Sequence, residues 1–335
     1  MSVGIVDIGA YSPAGCQTAA EIAALSGIPI EVVRDRFGLI GKRIAAPDEH
    51  ASHLAAKAAI PILKNNVGKI GAVIYMGSPY RDFPVWGAGP KVQQLLGPAA
   101  DGALAFDVQG NSGGAPIAVK VGKALLESDP ALGQVLLAGG SREHDLIDYT
   151  NQRSRFMFTF GAGGAAMLLR AGHPENLVLE TAGFTDGSFA DDVMVPAGGS
   201  REPATIETVQ ARRHYLDVRD PQEMKERLDP ISAGNFVRVA REAVERSGHR
   251  TTDIALLCTI HTKRSLFLKV LDGLGLPEER AMYLSDHGHM SAVDPILGLH
   301  RAREQGRLHD GDLVVLLAAG TGYSWSATAI RWGRA

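Results

Sequence analysis

The chain has 335 residues with a net charge of −3, 45% hydrophobic and 21% charged residues, so it has material for a sizeable core and is not a disordered chain. Its 34 basic residues are scattered and outnumbered by 37 acidic ones, which removes the electrostatic footprint of a nucleic-acid binder; two cysteines, Cys16 and Cys258, are too few for a disulfide framework or a cysteine-based zinc site. Glycine is the outlier at 39 residues, against a usual share of about 7%, and predicts many tight turns and close backbone approaches.

In chain order, Val3–Ile8 reads as a buried strand, His50–Lys64 as an alanine-rich helix that Pro61 kinks or ends, and Ala72–Met76 as a second strand. Lys91–Leu96 reads as a short helix stopped at Gly97-Pro98, and Leu104–Val108 as a strand running into Gln109-Gly110-Asn111-Ser112-Gly113-Gly114. Ala115–Leu126 has helical spacing that places Ile117, Val121, Ala124 and Leu125 on one face. Gln134–Ala138 and Ala165–Leu169 are strands flanking the polar stretch Ser141–Arg155. Continuous apolar strands between helices predict an α/β fold with a mainly parallel sheet covered on both faces.

The second part of the chain repeats this plan. Val178–Gly183 resembles Val3–Gly9, Ile254–Ile260 resembles Ala72–Met76, and Leu313–Leu317 resembles Gln134–Ala138. Ser285–Met290 opens the helix Ala292–Gln305 where Gly110–Gly114 opens the earlier one, and Gly320-Thr321-Gly322 before Trp325–Ile330 echoes Gly161-Ala162-Gly163 before Ala165–Leu169. The expectation is two related halves, residues 1–172 and 173–335, joined near Leu169–Leu177, with a polar insertion or cap over Ala197–Leu228. No basic, apolar leader opens the sequence and no apolar run reaches membrane-spanning length, so a soluble, cytoplasmic setting is expected.

Three residues stand where chemistry is expected. Ser112 occupies a glycine-flanked strand-to-helix junction, where unpaired N–H groups and the helix dipole suit a nucleophile whose attack creates an oxyanion, or where a serine simply caps the helix. His261 follows the strand ALLCTI at its carboxyl end, the side on which open α/β sheets bind ligands. His289, in Asp286-His287-Gly288-His289, precedes a helix; His287 and His289 form an H-x-H pair, but no carboxylate or cysteine at convincing spacing completes a metal site, and none is expected. Cys258 falls inside a strand as a core residue, and Cys16 has no visible activating partner. No G-x-G-x-x-G links a first strand to its helix, so a dinucleotide cofactor is not expected.

Taken together, these segments resemble the ketosynthase III type of the thiolase superfamily (β-ketoacyl-ACP synthase III), close also to hydroxymethylglutaryl-CoA-synthase-like proteins. Gly4-Ile5-Val6 with Tyr11-Ser12-Pro13 resembles the family's opening, and Arg36-Phe37-Gly38-Leu39 with Lys42-Arg43 its R-T-G-I…R-R segment. Ser78-Pro79 to Leu96-Gly97 resembles T-x-x-x-x-P…L-G, Phe160–Ala165 resembles F-G-D-G-A-G-A, and Gly320-Thr321-Gly322-Tyr323-Ser324-Trp325 resembles G-G-G-x-T-W-G. The resemblance implies a five-layered αβαβα thiolase fold, a homodimer, and acyl thioesters of CoA or an acyl carrier protein as substrates, with no permanently bound cofactor.

The departures bear on function. The family's nucleophile motif, D-x-x-A-A-C-S-G, falls on Asp107–Gly114 and so puts serine at 112 in place of cysteine; its histidine falls on His261, and its asparagine on His289. Ala162 stands where the family has aspartate, and Val32 where it has a tryptophan near the CoA site, which favours a carrier-protein donor. A serine hydroxyl is far less acidic than a thiol and needs a general base, a task open to either His261 or His289, with the other polarising the thioester carbonyl. The resemblance points to the backbone N–H groups of Ser112 and Thr321 as the oxyanion donors; Arg36, Arg153, Arg155, Lys263 and Arg264 are candidate cations for a CoA or phosphopantetheine phosphate, and of these only Arg36 sits where the family commonly places a CoA contact. A serine ester is less reactive than a thioester towards carbon nucleophiles. The leading expectation is therefore an acyltransferase of specialised metabolism that acylates Ser112 and passes the acyl group to an alcohol or amine. The alternatives are a decarboxylative starter-unit ketosynthase and a non-catalytic partner of a cysteine-bearing ketosynthase.

Overall fold

The computed structural model describes residues 1–64, 66 and 68–334. The first half runs β1 (Val3–Tyr11), β2 (Gly15–Thr18), α1 (Ala19–Ser26), β3 (Gly41–Ile44), α2 (Ala51–Leu63), β4 (Ile70–Tyr75), α3 (Ala88–Leu96), β5 (Leu104–Asp107), α4 (Gly114–Ser128), β6 (Gln134–Ser141) and β7 (Gly163–Ala171). The second runs β8 (Leu177–Thr185), β9 (Val193–Met194), α5 (Ile206–Gln210), β10 (Asp217–Val218), α6 (Pro221–Arg246), β11 (Ile254–Thr259), α7 (Arg264–Leu274), β12 (Ala281–Met282), α8 (Asp294–Glu304), β13 (Leu313–Gly320) and β14 (Ser324–Arg331).

The strand order β5-β4-β6-β7-β1 in the first half recurs as β12-β11-β13-β14-β8 in the second, and the two join through β1 and β8 into ten strands. The junction is slight: Gly4 pairs with Leu177, and Asn176 accepts from the Ile5 N–H at 3.0 Å. The buried side chains fall into layers accordingly. Ala58 and Ile62 of α2 and Val92 of α3 cover one outer face with Val73, Leu136 and Leu168. Val239 of α6 and Phe267 of α7 cover the other with Leu257, Val315 and Leu317. Between the sheets lie α4 and α8, where Ala118, Val119, Ile296 and Leu299 share one core with Ile74 and Leu137 on one side and Cys258 and Leu316 on the other. This is the αβαβα stack of the thiolase fold.

Two sequence expectations are corrected here. The sheet is not mainly parallel: β4 pairs in parallel with β5 and β6, but β6–β7, β7–β1 and β1–β8 are antiparallel, and the second half does the same. Helices cover both faces, so antiparallel and parallel strands alike read as unbroken apolar runs and the alternation that would separate them is missing. The buried face of α4 is Ala115, Ala118, Val119, Gly122 and Leu126, whereas Ile117, Val121 and Leu125 are half-buried and Ala124 is exposed. A helix held between two sheets needs small residues at its closest approach: a Cβ on Gly122 would sit 3.0 Å from Leu169 and 3.2 Å from Leu137.

The polar stretch Ala197–Leu228 is two things. Its first part is an exposed loop carrying α5, bracketed by the short β9–β10 ladder. From Pro221 the chain is already α6, started by the Asp220 carboxylate, which accepts from the Gln222 and Glu223 N–H groups at 3.0 Å each, with proline at the first helical position.

Candidate active site

Ser112 lies at the mouth of α4, on a turn that its neighbours force. Asn111 has φ +47°, an uncommon conformation outside glycine, and leads a 3-10 turn, Asn111–Gly113, directly into the helix. Gly113 has no room for a side chain, since a Cβ would fall 2.9 Å from the Ser324 hydroxyl and 3.1 Å from the Gly320 nitrogen. The elbow of the first half is thereby pressed against the β13–β14 turn of the second. Ser326 fastens it, donating to the Gly113 carbonyl at 2.9 Å.

The second half builds a similar turn. Gly288 (φ +75°) and Ser291 (φ +55°) flank His289 and Met290, and a 3-10 turn, Ser291–Val293, leads into α8 at Asp294. The His289 backbone is held on both sides: its N–H donates to Thr159 at 2.9 Å, and its carbonyl accepts from Gly161 at 2.8 Å. The Phe160 ring meets the imidazole edge-on, with centroids 4.9 Å apart.

These two turns bring Ser112 Oγ to 2.7 Å from His289 Nε2. On its other side His289 Nδ1 lies 2.6 Å from Asp294 Oδ2. Asp294 is fully buried; its Oδ1 accepts from the Met290 N–H at 2.7 Å, and its Oδ2 also from the His261 N–H at 2.8 Å. A carboxylate that only accepts places the imidazole proton on Nδ1 and leaves the Nε2 lone pair facing the serine hydroxyl. Burial pulls the His289 pKa down, but the charge of Asp294 and its hydrogen bond outweigh this, and the net shift is upward. The set is an acid, an imidazole and a hydroxyl in line, a geometry suited to removing the hydroxyl proton as the oxygen attacks.

His261 shares the cavity but not the line. It is buried beyond the end of β11, with Nε2 3.1 Å from the Phe37 carbonyl, and burial lowers its pKa to about 4, so the ring is neutral. Its Nδ1 has no hydrogen-bond partner among the described residues. Of the two histidines left open by the sequence, it is His289 that meets Ser112.

A cavity of about 440 Å³ opens from these residues, walled by Phe160, Met224, Leu228, Phe236 and Trp325 among others, and Thr321 also lines it. Among the described residues no three His, Cys, Asp or Glu side chains converge as a metal-ligand group.

Two stretches of the chain match models of one family: residues 106–187 match 3-oxoacyl-[acyl-carrier-protein] synthase III, and residues 244–332 match the C-terminal part of that enzyme, together about half of the chain. The chain belongs to the 3-oxoacyl-[acyl-carrier-protein] synthase III family. Similarity to members extends over nearly its whole length: 29% identity to the β-ketoacyl-[acyl-carrier-protein] synthase III of Solibacter usitatus over 333 residues, covering 97% of each chain. The enzyme of the same name from Syntrophomonas wolfei is 29% identical over 337 residues, covering 100% of this chain and 98% of that one. The crystal structure of the Pseudomonas aeruginosa synthase III superposes with a TM-score of 0.86, covering 99% of this chain and 98% of the other at 24% identity, which places the fold.

Within this synthase III family member, the cations named from the sequence divide. Arg153, Arg155 and Lys263 line the cavity, Arg153 being also paired with Asp217 at 2.7 Å. Arg264 does not: it spans 2.5 Å to Glu278 and lies over the Phe267 and Tyr283 rings. Arg36 is exposed and outside the lining. Lys225 and Lys269, which sequence reasoning did not single out, join the lining from α6 and α7. His287 is turned away to Ser12 and Asp286, at 3.1 and 2.9 Å. Burial raises the Cys258 thiol well above its ordinary range, and Cys16 is exposed. Asp294 is the residue that sequence reasoning missed; its only signal is an acid opening a helix five residues after a histidine.

Proposed function

We propose that the protein is an acyltransferase that takes an acyl group from a CoA or carrier-protein thioester, holds it as an ester on Ser112, and passes it to an alcohol or amine. The observation that carries this reading is the line Ser112 Oγ–His289 Nε2–Asp294, with spacings of 2.7 and 2.6 Å. His289 Nε2 accepts the hydroxyl proton as Oγ bonds to the thioester carbonyl carbon; Asp294 keeps the Nδ1 proton in place and balances the imidazolium. The tetrahedral oxyanion is taken up by the backbone N–H groups of Ser112 and Thr321. Collapse breaks the C–S bond, and the departing thiolate takes the proton from His289. The acceptor then repeats the sequence in reverse, giving its proton to His289 as it attacks the ester. Arg153, Arg155, Lys225, Lys263 and Lys269 suit the phosphate of a CoA or phosphopantetheine arm lying in the cavity. The protein acts as a homodimer in this reading, with the exposed edge strand β5 (Leu104 60% exposed) and the exposed Phe83 and Val85 available for burial.

A second reading is supported by the relatives, which carry the name β-ketoacyl-[acyl-carrier-protein] synthase III, and by His261, which shares the cavity with Ser112: decarboxylative condensation of the Ser112-bound acyl group with a malonyl thioester. Intact mass after mixing with a panel of acyl-CoA and acyl-carrier donors tests the acyl-enzyme. A mass gain equal to the acyl group is expected in the wild type and absent in Ser112→Ala; no gain with any donor, or a gain that survives the substitution, overturns the reading. Chasing the labelled enzyme with alcohols, amines or malonyl thioester separates the two outcomes. An ester or amide product selects transfer, and carbon dioxide with a β-ketoacyl product selects condensation.

A further inference from the structure

The residue before the nucleophile reaches across the molecule. Asn111 Nδ2 donates to the Thr321 carbonyl at 2.8 Å and lies 3.0 Å from the Thr321 hydroxyl, joining residues 210 positions apart, one on each half. Around this pair the two backbones are already in contact: a Cβ on Gly320 would meet the Gly110 carbonyl at 2.2 Å and the Gly113 nitrogen at 2.8 Å. Contact of that kind sets how near the elbow and the β13–β14 turn lie, but not how Thr321 is turned. A carboxamide bound to both the Thr321 carbonyl and its hydroxyl anchors two of the substituents on the Thr321 Cα, and with Gly320 already pinned on the other side this fixes the direction of the N–H between them. Asn111 and Thr321 also depart together from the motifs the chain resembles, which have alanine and glycine at these places.

We infer that Asn111 is a positioning residue whose carboxamide clamps Thr321 so that the N–H groups of Ser112 and Thr321 converge on one oxyanion. The inference rests on the Ser112 acyl-enzyme reading above. The competing explanation is local: asparagine tolerates a positive φ better than most residues, and Asn111 at +47° fills a turn. The two separate cleanly, because glycine satisfies the turn without supplying a carboxamide.

The expected result for Asn111→Gly is an acylation rate about 10 to 100 times lower, the size of effect that misplacement at a reacting centre produces, with the KM for acyl-CoA and the thermal midpoint close to wild type. Thr321→Val keeps the carbonyl acceptor and loses the hydroxyl, so a few-fold loss is expected, and the two changes combined cost less than their product. Amide hydrogen exchange gives a readout independent of turnover: exchange at Thr321 speeds up in Asn111→Gly. If the wild type forms no acyl-enzyme, the catalytic reading fails, while faster Thr321 exchange in the variant still supports the clamp. Wild-type acylation together with unchanged Thr321 exchange in Asn111→Gly overturns the inference, as does full additivity with Thr321→Val.

Discussion

The turn that leads into α4 and the turn that leads into α8 are built alike. Each opens on a residue with positive φ, Asn111 at 47° and Ser291 at 55°; each passes through a three-residue 3-10 turn and continues as a buried helix between the sheets. They also pack together, since a Cβ on Gly114 would lie 3.2 Å from that of Ala292. Their side chains differ in a complementary way. Where the first turn has Ser112 and Gly114, the second has Ala292 and Asp294, with His289 just before. One backbone device has thus been used twice, once to present the Ser112 hydroxyl and once to present the imidazole that meets it and the carboxylate bound to that imidazole. Neither turn holds the whole set, so the proposed chemistry depends on the fit between the two turns.

The sharpest way to break this complementarity is at Asp294. Asp294→Asn leaves a residue of the same shape, and a fall of about 10² to 10⁴ in the rate of Ser112 acylation is expected from the wrong imidazole tautomer and the lost charge. The pH profile carries the sign. Asp294 favours the imidazolium and raises the His289 pKa, and the base must be neutral to act, so acylation falls at acid pH. Removing the charge lowers that pKa, and the acid limb moves to lower pH; an unmoved limb in single-turnover assays would detach Asp294 from the mechanism.

A smaller effect is expected at His261, which shares Asp294 only through its backbone N–H. In His261→Asn, acylation of Ser112 stays within about tenfold of wild type, because the hydroxyl keeps its His289 partner, while the following transfer step slows more. Rapid-quench measurement of the two steps checks this, and equal losses in both would give His261 a share in acylation.

The smallest effect concerns the support beneath His289. Lys42 is fully buried, with Nζ 2.9 Å from the Phe158 carbonyl, 2.5 Å from that of Phe160 and 5.3 Å from the Tyr149 ring centre. Those carbonyls flank Thr159, which receives the His289 N–H. Burial lowers the Lys42 pKa to about 7, whereas an unfolded lysine titrates near 10.4. Between these values the unfolded chain holds a proton that the folded protein has released, so stability rises with pH across that window. Lys42→Met is expected to flatten that rise, read as the difference in urea midpoint between pH 7 and pH 9.5. An unchanged slope would show that Lys42 keeps its charge when folded.

Much of this was legible in the sequence, for reasons that can be named. The strands around Val73, Leu136 and Leu316 read as apolar runs because both sheet faces are covered, and the repeat of those runs has its counterpart in the recurring strand order. The same double cover hid the antiparallel pairing of β7 and β14. In α4, spacing puts Ile117 and Leu125 on one face, but close approach to two sheets buries Ala118 and Gly122 more deeply. Ser112 and His289 stood out because glycines mark the turns that lead into their helices, and His261 because it follows a strand at its carboxyl end. Which histidine meets the serine depends on how the two halves close, and no local pattern states it. Asp294 was invisible for a related reason: on the helix it reads as an ordinary first-turn acid, and only the turn of the chain at Ser291 brings it back to His289.

In the proposed reaction, attack by a hydroxyl at position 112 depends on the imidazole of the opposite turn. Acylation rates measured at pH 8.5 for the wild type and Ser112→Cys, each with and without His289→Ala, test it most directly. A thiol is about half ionised at that pH, so the cysteine form is expected to lose far less than the serine form, whose loss is about 10³-fold or more when His289 is removed. Equal losses in the two backgrounds, or a serine form that acylates unaided, would contradict it.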